Sequence, residues 1–146
     1  MKEIFELSKI ENIAKEIIKK IVLDKKEVAT IVTFSGDLGA GKTTLTKEIA
    51  KQLGVVDNVI SPTFVIMKIY KLNHKKFKNL IHIDAYRLDN YKELINLGWN
   101  KIITNKDNLI IIEWPERVSD CLPKNIYNLS LGHKDESTRT IKFWYN

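Results

Sequence analysis

Val28-Ala29-Thr30-Ile31-Val32-Thr33-Phe34-Ser35-Gly36-Asp37-Leu38-Gly39-Ala40-Gly41-Lys42-Thr43-Thr44 runs from an apolar, β-branched segment through a glycine-rich turn into Lys-Thr-Thr. Val28 to Phe34 predicts a central strand buried on both faces. From Lys42 onward, Leu45, Ile49, Ala50 and Leu53 predict a helix with one inward side, and Gly54 its left-handed stop. Strand, turn and helix frame Gly36 to Thr43, which matches G-x-x-x-x-G-K-[ST] in full. Glycines at 36, 39 and 41 remove Cβ atoms that would obstruct a tight curl, so successive backbone N–H groups converge on one phosphate. The helix N-terminus adds its dipole. Lys42 brings a mobile positive charge to the β and γ oxygens, and the Thr43 hydroxyl is placed to ligate Mg²⁺. The nucleotide-binding candidates of this loop are Gly36, Asp37, Leu38, Gly39, Ala40, Gly41, Lys42, Thr43 and Thr44.

Working outward, Ser8 and Glu11 have capping-box spacing, and Ile10, Ile13, Ala14, Ile17, Ile18, Ile21 and Val22 recur at helical intervals. This predicts an amphipathic helix ending near Asp24. Phe64 to Leu72 and Leu80 to Asp84 read as a hairpin joined by the Lys-rich stretch 73–79. Asn90 to Leu97 reads as a short helix closed by Gly98, and Leu109 to Glu113 as a second buried strand. Ile126 to Leu131 and Thr140 to Tyr145 form a last pair across a polar turn. No repeat or low-complexity linker interrupts the chain, so residues 1–146 are expected to form a single domain. The expected class is α/β: a three-layer sandwich with a mixed, P-loop NTPase-like sheet flanked by helices.

A length of 146 residues suffices for one core, and a second domain is not expected within it. Basic residues number 24 against 18 acidic ones, a net charge of +6, but only Arg87, Arg117 and Arg139 are arginine. Arginine is the side chain that grips phosphate in bidentate fashion, so the lysine excess is a weak nucleic-acid signal. Cys121 is the sole cysteine, which excludes an intrachain disulfide framework and any zinc site needing two thiolates. A reducing cytoplasm fits this usage. The apolar stretches are too short for a transmembrane span, and the N-terminus lacks the pattern of a signal peptide, so no membrane association is expected.

Hydrolysis needs a second strand to hold magnesium and a group to position water. Leu109-Ile110-Ile111-Ile112-Glu113 has the form of a Walker B strand, and Ile81-His82-Ile83-Asp84 also ends in an acid. Spacing alone does not divide the roles of Asp84 and Glu113. Thr63, in Ser61-Pro62-Thr63-Phe64, reads either as a switch residue that senses the γ-phosphate or its magnesium or as part of a turn before a strand, with Pro62 fixing the entry. Arg87 is a charge clamp or an ion pair holding the Asp84 loop. The guanine signals fail: Arg87 stands where D-x-x-G needs glycine, and the Asp of Asn105-Lys106-Asp107-Asn108 comes one place early. ATP is therefore favoured. Two other classes stay open, a small-molecule kinase using the same loop and a basic nucleic-acid-binding module. The kinase reading lacks the arginines of a closing lid.

His82 reads as a hydrogen-bonded strand histidine. His74 and His133 lack partners at metal-ligand spacing, and Cys121 reads as a packed, inert thiol. His74-Lys75-Lys76-Phe77-Lys78 reads equally as a solvated hairpin tip or a nucleic-acid contact. Trp144 is expected to pack against the first helix.

Gly36 to Thr44 as GDLGAGKTT, Ser61 to Phe64 as SPTF, His82 to Leu88 as HIDAYRL and Ile112 to Arg117 as IEWPER, in this order, resemble the TsaE (YjeE) family. The resemblance spans nearly the whole chain. It implies a P-loop ATPase required for threonylcarbamoyladenosine modification of tRNAs that read ANN codons. It further implies partnership with the TsaB and TsaD proteins, contact with tRNA only through that complex, and ATP and Mg²⁺ as cofactors. By resemblance Glu113 is the magnesium-associated acid, alongside Thr43, and Asp84 the acid near the γ-phosphate. Asp84, Lys42 and Glu113 are then the catalytic set, Thr63 is the switch threonine and Trp114 the aromatic beside the Walker B acid. Ser8 falls where the family's adenine pocket begins. Ala85, where leucine is common, and Trp99, where a polar residue is more usual, depart from the pattern away from this chemistry.

Overall fold

β-Branched and apolar residues dominate 28–34, and in the computed structural model, which describes residues 1–55, 57, 59 and 65–146, they form the sheet's central strand. This strand, β2 (Thr30–Ser35), is buried over its first five residues. It follows β1 (Lys2–Glu6) and α1 (Ile10–Leu23) and precedes α2 (Lys42–Gln52). Then come β3 (Met67–Lys71), β4 (Asn79–Asp84), α3 (Lys92–Asn96), α4 (Trp99–Ile102), β5 (Asn108–Glu113), β6 (Tyr127–His133) and β7 (Thr138–Tyr145). The described residues build one seven-stranded sheet in the order β1-β7-β6-β2-β5-β4-β3. β2 runs parallel to both β5 and β6, and β4 parallel to β5, while the outer pairs are antiparallel. The β2 C-terminus thus faces a crevice between strands on either side, where open α/β sheets bind ligands. The register Phe34↔Glu113 and Asp84↔Glu113 brings both acids to that end of the sheet.

The helices form the other two layers, as expected. α1 buries Ile13, Ala14, Ile17 and Ile21, and with α2 it packs on Val32, Phe34, Leu109, Ile111, Leu129 and Phe143. Burying each of those isoleucines contributes about 1.5–3 kcal/mol. On the other face Leu94 of α3 and Trp99 of α4 cover Ile31, Ile81, Ile83, Ile110 and Ile112. The Trp99 indole N–H donates to the Cys121 carbonyl oxygen at 3.2 Å, so tryptophan is satisfied in an apolar layer. Burial pushes the Cys121 thiol up, in keeping with an inert packed cysteine.

Several expectations change. Ser8 does not cap α1: a 3₁₀ turn, Leu7–Lys9, intervenes, and the Ser8 hydroxyl donates instead to Glu6 Oε2 at 3.3 Å. β1 was not foreseen, because Lys2–Glu6 shows only Phe5 to the core. β3 begins at Met67, since Ile66 takes a left-handed φ of 64° that ends any extended run; Phe64 lies outside the described residues. Gly98 does close α3, with φ 91°, but α4 follows at once. Trp144 lies on the face opposite Phe143, with the Lys142 ammonium 4.8 Å from its ring centre, and it is Phe143 that shares the core with α1. The 74–78 stretch is only partly a solvated tip: Lys75 and Lys78 are exposed, but Phe77 is fully buried, and the Lys76 ammonium donates to the carbonyl oxygens of Ile21, Val22 and Asp24 at the end of α1. Those carbonyls have no intrahelical donor, so a lysine completes them.

Candidate nucleotide-binding site

The loop between β2 and α2 uses its glycines in conformations that L side chains avoid: φ is 139° at Gly36, 77° at Gly39 and 108° at Gly41. A Cβ at Gly36 would stand 2.3 Å from the Leu131 carbonyl oxygen, so β6 presses directly on the loop's entry. Ala40 N–H closes a turn onto the Asp37 carbonyl at 3.1 Å. On its far side the loop meets Leu7 and His133: a Cβ at Gly41 would lie 3.8 Å from Leu7 Cδ2, and one at Gly39 3.9 Å from His133 Nε2. Neither contact carried a sequence signal, because both depend on strand order. Ser8, one residue beyond Leu7, is exposed.

Lys42 opens α2 and is 6% exposed. Its ammonium donates to the carbonyl oxygens of Gly36 (2.5 Å) and Asp37 (2.9 Å) and sits 4.6 Å from the Trp114 ring centre. Burial lowers its pKa below the usual lysine value, and the carboxylates of Glu113, Asp84, Asp37 and Glu116 oppose that shift. The Thr43 hydroxyl donates to Glu113 Oε1 at 3.2 Å. Asp84 and Glu113 are 5% and 2% exposed. The Tyr86 N–H donates to Asp84 Oδ1 at 3.0 Å, and the Ala85 N–H to the Glu113 carbonyl at 3.0 Å, locking the ends of β4 and β5 together.

Leu38, Gly39, Gly41, Lys42, Thr43, Thr44, Asp84, Glu113 and Trp114 line a single cleft of about 230 Å³. The structure therefore brings together the loop and both strand-end acids. Thr63 lies outside the described residues, and Arg87 is on the exposed turn after β4. Trp114 adopts φ 59°, an outlier for a bulky residue, and its ring meets Tyr86 at 5.0 Å. Sequence reading did not anticipate that strain. A larger hollow of about 390 Å³ opens at the opposite end of the sheet, between Val28, Ala29, Ile103, Ile126 and Tyr145. It has a mostly apolar lining and none of this chemistry.

The oxygens of Thr43 and Glu113 are hard donors, and their 3.2 Å separation is close to the roughly 3 Å between adjacent ligands of an octahedral Mg²⁺ bonded at about 2.1 Å. The donor set thus fits magnesium. Among the described residues no helix is long and apolar enough to cross a membrane.

The sequence model of the family "Threonylcarbamoyl adenosine biosynthesis protein TsaE" matches residues 5–141. The chain is 40% identical over 110 residues to the tRNA threonylcarbamoyladenosine biosynthesis protein TsaE of Rickettsia prowazekii (strain Madrid E), covering 75% of this chain and 73% of that protein. It is 34% identical over 122 residues to the TsaE protein of Haemophilus influenzae, covering 84% and 73%. The crystal structure of Bacillus subtilus YdiB superimposes with a TM-score of 0.73 at 26% identity, covering 98% of this chain and 83% of that one. The mixed sheet with its phosphate-loop turn, the family match over most of the chain and these relatives lead to one conclusion: the chain belongs to the TsaE family of threonylcarbamoyl adenosine biosynthesis proteins.

Proposed function

We propose that this protein is a Mg²⁺-dependent ATPase that supports a TsaB–TsaD complex in threonylcarbamoyl modification of adenosine in tRNAs reading ANN codons, in the cytoplasm. The observation that carries the reading is the convergence of Lys42, Thr43, Asp84 and Glu113 on one cleft beside the glycine loop. The loop amides and the Lys42 ammonium hold the phosphates. Thr43 and Glu113 hold the metal, which when bound neutralises charge on the phosphate oxygens. The Asp84 carboxylate orients the attacking water and accepts its proton. The cleft lining includes no arginine among the described residues, so intrinsic turnover is slow. The tethering of Lys76 to α1 and the burial of Phe77 take one lysine and the aromatic of the most suggestive basic segment away from the nucleic-acid alternative.

The test follows γ-labelled ATP with Mg²⁺. Free phosphate is expected, slowly released by the wild type and reduced at least about 100-fold in Glu113→Ala with its circular dichroism unchanged. Label appearing on a small acceptor would establish the kinase reading instead, and undiminished hydrolysis by Glu113→Ala would remove the site assignment. Co-elution with TsaB and TsaD in the presence of ATP tests the partnership; no association under any nucleotide condition would remove that part.

A further inference from the structure

His82 is fully buried within β4, and among the described residues neither ring nitrogen has a hydrogen-bond partner. The sequence reading of a hydrogen-bonded strand histidine is thus corrected. A buried imidazole with no partner is costly, so its surroundings ask for an explanation. His82 pairs in register with Ile111 of β5 on one side and Lys68 of β3 on the other, and it precedes Asp84 by two residues on the same sheet face. Its Nε2 stands 3.7 Å from Glu113 Oε2, too far for a hydrogen bond and close enough to become one with a shift of under an ångström. The other oxygen, Oε1, already accepts the Thr43 hydroxyl. The two ends of the Glu113 carboxylate therefore face different groups, one toward the cleft and one toward the buried histidine.

We infer that His82 is a positioning residue for Glu113: on closing the 3.7 Å gap its Nε2–H donates to Oε2 and fixes the carboxylate plane so that Oε1 is presented with Thr43 Oγ1 to a divalent cation. A carboxylate held at one oxygen alone can rotate about its terminal torsion, whose energy well is broad. A second hydrogen bond from a rigid, buried ring removes that freedom. Groups that hold metal-binding carboxylates in this manner commonly set metal affinity by 10- to 100-fold. The inference rests on the metal-dependent reading above and adds to it a residue outside the cleft lining.

The experiment measures Mn²⁺ affinity of the protein–ADP complex by electron paramagnetic resonance, together with ADP affinity in EDTA. His82→Leu keeps an apolar side chain of similar bulk in the core, and His82→Gln keeps an N–H donor. The expected result is Mn²⁺ affinity about 10-fold weaker in His82→Leu and largely restored in His82→Gln, with metal-free ADP affinity unchanged in both. Equal Mn²⁺ affinity in His82→Leu and wild type overturns the inference, as does a parallel loss of metal-free ADP binding, which marks mere packing. Wild-type ADP complex that binds no Mn²⁺ overturns both this inference and the metal-dependent reading, whereas wild-type binding with an indifferent His82→Leu overturns this inference alone. A measurement on folded wild type guards against a variant that fails to fold. In ¹⁵N-labelled protein the His82 imidazole resonances are expected to move when Mg²⁺ is added to the ADP complex, and to stay fixed in Glu113→Gln. Resonances that ignore Mg²⁺ in the wild type overturn the inference.

Discussion

Lys42 and Lys76 have the same side chain, and each places its ammonium on backbone carbonyl oxygens, yet one belongs to a site and the other to the scaffold. Lys42 rests on Gly36 and Asp37 at the start of α2, with the carboxylates of Glu113 and Asp84 nearby and an open cleft in front. Lys76 rests on Ile21, Val22 and Asp24 at the end of α1, beside a fully buried Phe77. Burial lowers the pKa of both. The difference lies in what surrounds them. Carbonyls at a helix C-terminus have a permanent claim on a cation. The carbonyls of the phosphate loop hold Lys42 where phosphate oxygens can take it over.

That comparison is broken most directly by exchanging the two lysines' losses. Lys42→Ala is expected to reduce ATP hydrolysis by at least about 100-fold, since a positioned charge on the transferred phosphate is removed, while the melting temperature holds or rises as a partly desolvated charge disappears. Lys76→Ala is expected to leave hydrolysis within about two-fold of wild type and to cost about 1–2 kcal/mol, or roughly 3–6 °C of melting temperature. Thermal melts and phosphate release on the same two variants decide it. A Lys76→Ala protein that melts normally and hydrolyses poorly would place that lysine in function after all.

The glycines of the two regions sharpen the contrast at smaller amplitude. Gly36, φ 139°, would bring a Cβ within 2.3 Å of the Leu131 carbonyl, and Gly54, φ 86°, within 2.9 Å of the Asn73 carbonyl. Alanine at either is strained, because backbone and not a yielding side chain stands in the way. Gly36→Ala is expected to lose roughly 2–3 kcal/mol and, by displacing the loop, most affinity for ADP. Gly54→Ala is expected to lose roughly 1–2 kcal/mol with ADP affinity intact. Urea titrations with and without ADP read both quantities, and retained ADP affinity in Gly36→Ala would show that the loop tolerates a shift at its entry.

How legible this molecule is from sequence follows the same division. The strand and helix around 28–53 were readable because β-branched run, glycine spacing and helical periodicity agree locally. The pairing of Asp84 with Glu113 was not, since only the order β2-β5-β4 aligns the two strand ends. Ser8 had the right residue type for a cap, but hydrogen bonding of Leu7 N–H to Ser137 holds the chain in a 3₁₀ turn there instead. Lys76 escaped recognition for a related reason: nothing in 74–78 announces that its partner is a helix end more than fifty residues earlier. His82 showed its opposite face to the sequence, with the strand correct and the hydrogen bond wrong.

The smallest effect tests whether the α1 terminus is scaffold throughout. Tyr127 of β6 donates its hydroxyl to Asp24 Oδ2 at 2.9 Å, on the residue whose carbonyl also receives Lys76. Burial, then the hydrogen bond to Asp24 and its charge, push the phenol well above its ordinary value of 10. A raised folded value means that the native phenol keeps a proton which the unfolded one releases. Its contribution is therefore complete below about pH 10 and fades as pH climbs beyond it toward the raised folded value. Tyr127→Phe is expected to be less stable than wild type by about 1 kcal/mol at pH 8, with hydrolysis unchanged. Lysines titrate in the same alkaline range, but they do so in both proteins, so the difference between wild type and variant isolates the phenol. That difference is expected to shrink between pH 9.5 and 11 in urea unfolding. If it stays constant, the Tyr127 proton is not linked to folding, and the α1 terminus is held by Lys76 and packing alone.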